Sequence, residues 1–137
     1  MKFEESLQSK LLSHHKLEMP FGTFFFCENF VISEIHSEKH FDWPKIELVL
    51  KEIIDFYGAG AKLGYVSNRV NSYSIDPSHW AKINSNKAVI EMIGTCIVYY
   101  NYIMYLNASL ENRFSDVEIK SCLSLDEAIE WVQRLNY

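Results

Sequence analysis

The chain has no basic excess, no long apolar run and no closely spaced pair of cysteines, and each absence argues against a class of function. Its 13 Lys and Arg face 18 Asp and Glu, a net charge of −5. The basic stripe that marks nucleic-acid binding is therefore missing, and nucleic acid is not expected as a partner. No segment approaches the roughly 20 apolar residues of a membrane-spanning helix. The charged opening MKFEESLQSK contains no apolar signal core, so a cytoplasmic location is expected. Cys27, Cys96 and Cys122 are odd in number and lack a C-x-x-C spacing. That pattern argues against a disulfide framework and a zinc site, and predicts buried, reduced thiols. G-x-S-x-G, P-loop and G-x-G-x-x-G patterns are absent, so the residues give no support to catalysis. His36 and His40 lie four apart near Glu38 and Asp42, but across a strand end and a turn, with no third ligand in view. No metal and no other cofactor is expected.

What the chain does have is aromatic weight: nine Phe and eight Tyr, which favours a rigid, strand-rich core. Phe21, Phe25, Tyr99, Tyr100, Tyr102 and Tyr105 are candidates to crowd one sheet face or its edge. Such a face needs a cover: the stripe Phe3, Leu7 and Leu11, a second subunit, or an apolar ligand.

Residues 1–15 read as an N-terminal arm or short helix carrying that i, i+4, i+8 stripe. From residue 16 to 137 the pattern reads as one α/β domain, with no linker, repeat or low-complexity segment. Lys16–Cys27 and Asn29–His36 are predicted strands, and in the first Phe24 and Phe26 face away from Phe25. Asp42-Trp43-Pro44 opens a helix whose apolar face is Ile46, Val49, Leu50, Ile53, Ile54 and Tyr57. Gly58-Ala59-Gly60 ends it. A strand over Leu63–Ser67 follows, then a helix near Pro77 with Trp80 and Ile83 that restarts at Lys87. Ile93–Tyr100 is a buried strand, and Tyr102–Phe114 a helix carrying Ile103, Leu106, Leu110 and Phe114. Val117–Leu123 alternates as a strand, and Ser124-Leu125-Asp126-Glu127 is a capping box opening a last helix with Ala128, Ile129, Val132 and Leu135 inward.

Lys62–Trp80, KLGYVSNRVNSYSIDPSHW, concentrates more polar chemistry than a strand-to-helix connection requires. Asn68, Arg69, Asn71, Ser72, Tyr73, Ser74 and Asp76 are the candidate ligand- or partner-binding residues. Ser72, Ser74 and Ser78 lie where a phosphate would approach a helix N-terminus, which makes them candidate regulatory hydroxyls. The bland alternative has Asp76 capping the helix while the serines satisfy loop backbone. Arg69 is the cation of this loop, able to fork onto a phosphate or carboxylate ligand, or to bridge Asp76 or Glu34.

The element order, the segment above and the ending IKSCLSLDEAIEWVQRL together resemble the SpoIIAA-like, or STAS, domains of small bacterial proteins, over roughly residues 16–136. The ending is similar to the family's short strand followed by a helix with an acidic-Ala-x-x-Trp pattern. The resemblance implies a sandwich with a mixed sheet of about five strands flanked by about four helices. It also implies non-enzymatic regulation by binding a protein partner, switched by phosphorylation in some members. The Asp-Ser-Ser/Thr-Gly turn of phosphorylated members is not present; the loop here reads NSYSIDP. The expectation is thus a protein-binding domain acting through residues 67–80, as a homodimer. A carrier or sensor of a small apolar or anionic ligand is the second expectation, and an enzyme with an unrecognised site the third.

Overall fold

The computed structural model describes residues 1–85, 89–115 and 117–137. In chain order, a 3-10 turn at Phe3–Glu5 leads to α1 (Gln8–Leu11), β1 (His15–Met19), β2 (Gly22–Phe26), β3 (Phe30–Ile35) and β4 (His40–Phe41). There follow α2 (Trp43–Tyr57), β5 (Ala61–Asn68), β6 (Ser74–Ile75) and α3 (His79–Asn84). The chain finishes with β7 (Ile90–Val98), α4 (Tyr102–Asn112), β8 (Ile119–Cys122) and α5 (Leu125–Gln133). Six strands form one mixed sheet in the order β1-β2-β3-β5-β7-β8. The first three run antiparallel, and β3, β5, β7 and β8 are parallel. β4 and β6 pair separately, His40 with Ser74 and Phe41 with Ile75. The expected α/β sandwich is present. The expected helix restart at Lys87 lies outside the described residues.

One predicted strand proves to be two. Lys16–Cys27 folds as a hairpin with Met19 opposite Gly22 across Pro20-Phe21. Proline has no N–H to give an interior ladder, so the chain turns there. Gly22 suits the return, because a Cβ would lie 2.9 Å from the Glu34 carbonyl oxygen.

Side-chain alternation then divides the core. Phe25, Ile32, Val66 and Cys96 pack on one face against Ala128, Ile129 and Val132 of α5. Phe24, Phe26, Val31 and Leu63 pack on the other against Ile46, Val49 and Ile53 of α2. Trp80 of α3, Ile97 of β7 and Ala108 of α4 form a third cluster. At α2 and α5 the predicted cap residues act: Asp42 accepts from the Lys45 N–H at 3.2 Å, and Ser124 from the Glu127 N–H at 3.1 Å. The Glu127 carboxylate takes the Leu123 N–H at 3.1 Å, in place of the Ser124 N–H that a capping box requires.

Three expectations are corrected. Phe3 is fully buried with its ring 4.7 Å from that of Phe25, but Leu7 and Leu11 face solvent. The segment is a 3-10 turn and one α-turn, so helical spacing never holds a single face. The six aromatic residues do not share one surface either. Phe21 and Phe25 fall on opposite sheet faces, while the four tyrosines gather where β7 ends and α4 begins. Finally, Cys96 and Cys122 are not free thiols: β7 and β8 bring their Cα atoms to 6.5 Å and the sulfurs are bonded. Cys27 alone is free, and burial pushes its thiol up to about 12, so it is no nucleophile.

Two strand glycines let α5 close on the sheet. A Cβ at Gly64 would sit 2.1 Å from Val132 Cγ2 and 2.6 Å from the Tyr137 hydroxyl. Gly64→Ala is therefore expected to overpack this face and cost about 1–3 kcal/mol. Urea unfolding checks it; an unchanged midpoint would show that α5 yields.

Candidate functional site

The parallel strands β3, β5 and β7 end together, and buried polar groups collect at that edge on both sheet faces. On the α2 face, β5 presents Tyr65 and Ser67, and Arg69 follows directly. Arg69 is 6% exposed, and its fork meets Glu111 of α4, itself 2% exposed. The Nη1 atom donates to Oε2 at 2.5 Å and Nη2 to Oε1 at 2.6 Å. The Trp80 indole N–H donates to the same Oε1 at 2.9 Å. Arg69 Nε donates to Ser67 Oγ at 3.1 Å, and that hydroxyl is 3.0 Å from the Tyr73 hydroxyl. The guanidinium carbon lies 5.2 Å from the centre of the Tyr73 ring. Burial opposes the charge on Arg69, but the Tyr73 and Glu111 oxygens outweigh it and raise its pKa. Burial likewise raises Tyr65 and Tyr73, so both phenols stay neutral.

On the α5 face, Glu34 of β3 and Asn68 of β5 hold the first residues of the chain. Glu34 Oε2 accepts from the Phe3 N–H at 2.8 Å and from Asn68 Nδ2 at 2.7 Å. Asn68 also donates to the Met1 carbonyl at 2.8 Å and accepts from the Tyr100 hydroxyl at 2.6 Å.

The predicted site residues thus separate. Asn68 and Arg69 point inward and are occupied by the protein itself; Arg69 bridges to neither Asp76 nor Glu34. Tyr73 lies against Arg69, and Asn71 donates to the Ile35 carbonyl at 3.2 Å. Ser72, Ser74, Asp76 and Ser78 form the exposed side of the loop. Ser74 Oγ is 2.7 Å from His40 Nδ1. Asp76 does not cap α3 itself; it caps the turn before it, accepting from the Ser78 N–H at 3.0 Å and hydroxyl at 2.8 Å. Those two bonds hold its carboxyl below the ordinary range. Helix α3 has six residues, and this carboxylate stands before its first turn, an unwelcoming place for a second anion.

Glu111 and Trp80 escaped the reading of the sequence as site residues, and they decide how α4 sits. An apolar helical stripe ordinarily faces the core. Here Ala108 and Glu111 face inward, while Ile103 is 70%, Leu106 47% and Leu110 44% exposed. The available signal was that Met104, Ala108 and Glu111 share a second stripe, ending in the helix's one charged residue. Loop and helix meet in two grooves. One, of about 220 Å³, runs between Asn71-Ser72-Tyr73 and Ile103, Met104 and Asn107. The other, of about 230 Å³, lies between Ser74, Ile75 and Pro77 and Asn107, Leu110 and Glu111.

No family model and no curated protein matches the chain. Among solved structures it is similar to an uncharacterised protein of the DUF3478 family with a SpoIIAA-like fold from Shewanella loihica PV-4. The TM-score is 0.54 at 8% identity, covering 88% of this chain and 93% of that one. At that identity the likeness concerns fold alone: the chain has a SpoIIAA-like fold. No helix among the described residues is long and apolar enough to cross a membrane.

Glu111→Ala would strand a buried guanidinium and is expected to cost about 3–5 kcal/mol in chemical unfolding. Arg69→Met with Glu111→Leu is expected to recover most of that loss; equal losses in both variants would contradict a paired role.

Glu34 generates a pH dependence. Burial raises its carboxyl above 4.5, against the lowering effect of the Phe3 and Asn68 donors. The folded state then holds this proton more tightly than the unfolded state. Its stabilising contribution is complete below 4.5 and is lost as pH rises through the raised folded value. Glu34→Gln should therefore gain on the wild type as pH rises through that window. Denaturant titrations at several pH values check it, and a gain on acidification would contradict it.

Proposed function

We propose that the chain is a non-enzymatic protein-binding module of SpoIIAA-like fold, acting through the outward face of α4 and the exposed side of the adjoining loop. The observation that carries this is the orientation of α4. A helix with enough apolar residues to bury a stripe instead buries a glutamate and turns Tyr102, Ile103, Leu106 and Leu110 to solvent. An apolar patch of this kind marks an interaction surface. The grooves beside Arg69 join it to Ser72 and Ser74, so loop and helix act as one contact surface.

The hollow of about 510 Å³ beside Tyr99, Tyr100, Tyr102, Tyr105 and Leu123 is an open surface depression at the start of α4, and the enclosed apolar core offers a small ligand little room. The most apolar cavity, between Phe24, Val49, Ile53, Tyr65 and Trp80, holds about 40 Å³. Carrier pockets are roughly 300–1,000 Å³. Arg69, the natural anion contact, already has its fork filled by Glu111.

In-cell photo-crosslinking tests the proposal. A benzoylphenylalanine placed at Leu106 is expected to yield protein adducts, identified by mass spectrometry, that the same group placed at exposed Lys51 on α2 does not. No adducts above the Lys51 control would overturn it.

A further inference from the structure

We infer that the partner of the α4 face is a second copy of the chain, the two α4 helices packing antiparallel about a two-fold axis near Leu106. This rests on the reading of α4 as a contact surface and names its occupant. Ile103, Leu106 and Leu110 are spaced three and four apart, the repeat with which two helices interlock at a shallow crossing angle. Tyr102, 71% exposed, and Phe114 extend the stripe at its ends.

Charge selects the occupant. From Tyr99 to Leu110 there is no Asp, Glu, Lys, Arg or His. In an isologous contact every charge near the axis meets its own copy, so a neutral stripe is self-complementary. The rest of the chain carries the net charge of −5, so the neutral stripe is where two copies approach with the least charge between them. Arg113, just past α4, falls at opposite ends of an antiparallel seam, where its two copies are far apart. Between Tyr102 and Leu110 the stripe offers no lysine or arginine to hold an anionic bilayer, and one arginine at its end is too little for either that or the selection of an acidic protein.

Area agrees. The exposed parts of Tyr102, Ile103, Leu106, Leu110 and Phe114 come to on the order of 600 Å² per copy, the lower end of what each partner contributes to a stable complex. On α2, exposed Leu48 has Lys45, Lys51 and Glu52 at helical spacing, and Phe56 packs against His15, Phe26 and Tyr57.

Sedimentation equilibrium of the full chain, from micromolar to submillimolar concentration, tests the inference. The wild type is expected at twice the 16.1 kDa chain mass. Leu106→Glu, which sets two carboxylates at the axis, should weaken association at least about tenfold with an unchanged far-ultraviolet spectrum. Ile103→Glu should do the same, and Leu48→Glu should leave the dimer intact. A wild type that stays monomeric, or a dimer indifferent to both α4 variants, would overturn the inference. A monomer whose Leu106 crosslinks to a different protein would overturn the second copy while leaving the binding-module reading in place. A monomer with no adducts would end both.

Discussion

The buried pair between Arg69 and Glu111 is the constraint from which the arrangement of this molecule's working edge follows. Two opposite charges out of water contribute little net stability, because desolvation consumes most of their attraction. Their force lies in the penalty for separating them. Arg69 is fixed by its place one residue beyond β5, and Trp80 adds a third bond to the same carboxylate. Glu111 must therefore face inward, and a helix cannot turn one residue inward without choosing the face it shows outside. Ile103, Leu106 and Leu110 become surface as a consequence.

The same edge is where open α/β sheets ordinarily place their ligands, beyond the carboxyl ends of parallel strands. In this chain the buried polar groups at that edge are taken up by one another. Arg69 and Glu111 pair on the α2 face, while Glu34 and Asn68 bind the backbone of Met1 and Phe3 on the other. Polar groups that could hold a ligand instead fasten loop, helix and N-terminus to the strand ends. In the proposed reading, recognition falls outward, on α4 and the exposed hydroxyls of the loop.

Much of the framework was legible because it rests on local rules. Asp42 before Pro44, Ser124 three residues before Glu127 and the apolar spacing of α2 each specify an element without help from the rest of the chain. The alternation of Phe24, Phe25 and Phe26 gave both faces of β2. The failures share a different cause. The hairpin at Pro20, the pairing of Cys96 with Cys122 and the exposure of Leu7 and Leu11 depend on what lies across the sheet. In α4 the strongest local signal, its apolar stripe, points away from the core, because Arg69, 42 residues upstream, captures the glutamate on the opposite face. Asn68 and Arg69 stood out in the sequence as candidate binding residues, but they turn inward onto Glu34 and Glu111, partners too distant in sequence to be read from it.

The most direct test of this account is nuclear magnetic resonance of the Arg69 side chain in the intact protein. A guanidinium locked by Glu111 should rotate slowly, show separate Nη protons protected from exchange, and give a cross-relaxation contact to the Trp80 indole N–H. A single averaged, rapidly exchanging Arg69 signal with no contact to Trp80 would contradict the account. Glu111 would then have no reason to be buried, and the apolar stripe of α4 no reason to face outward.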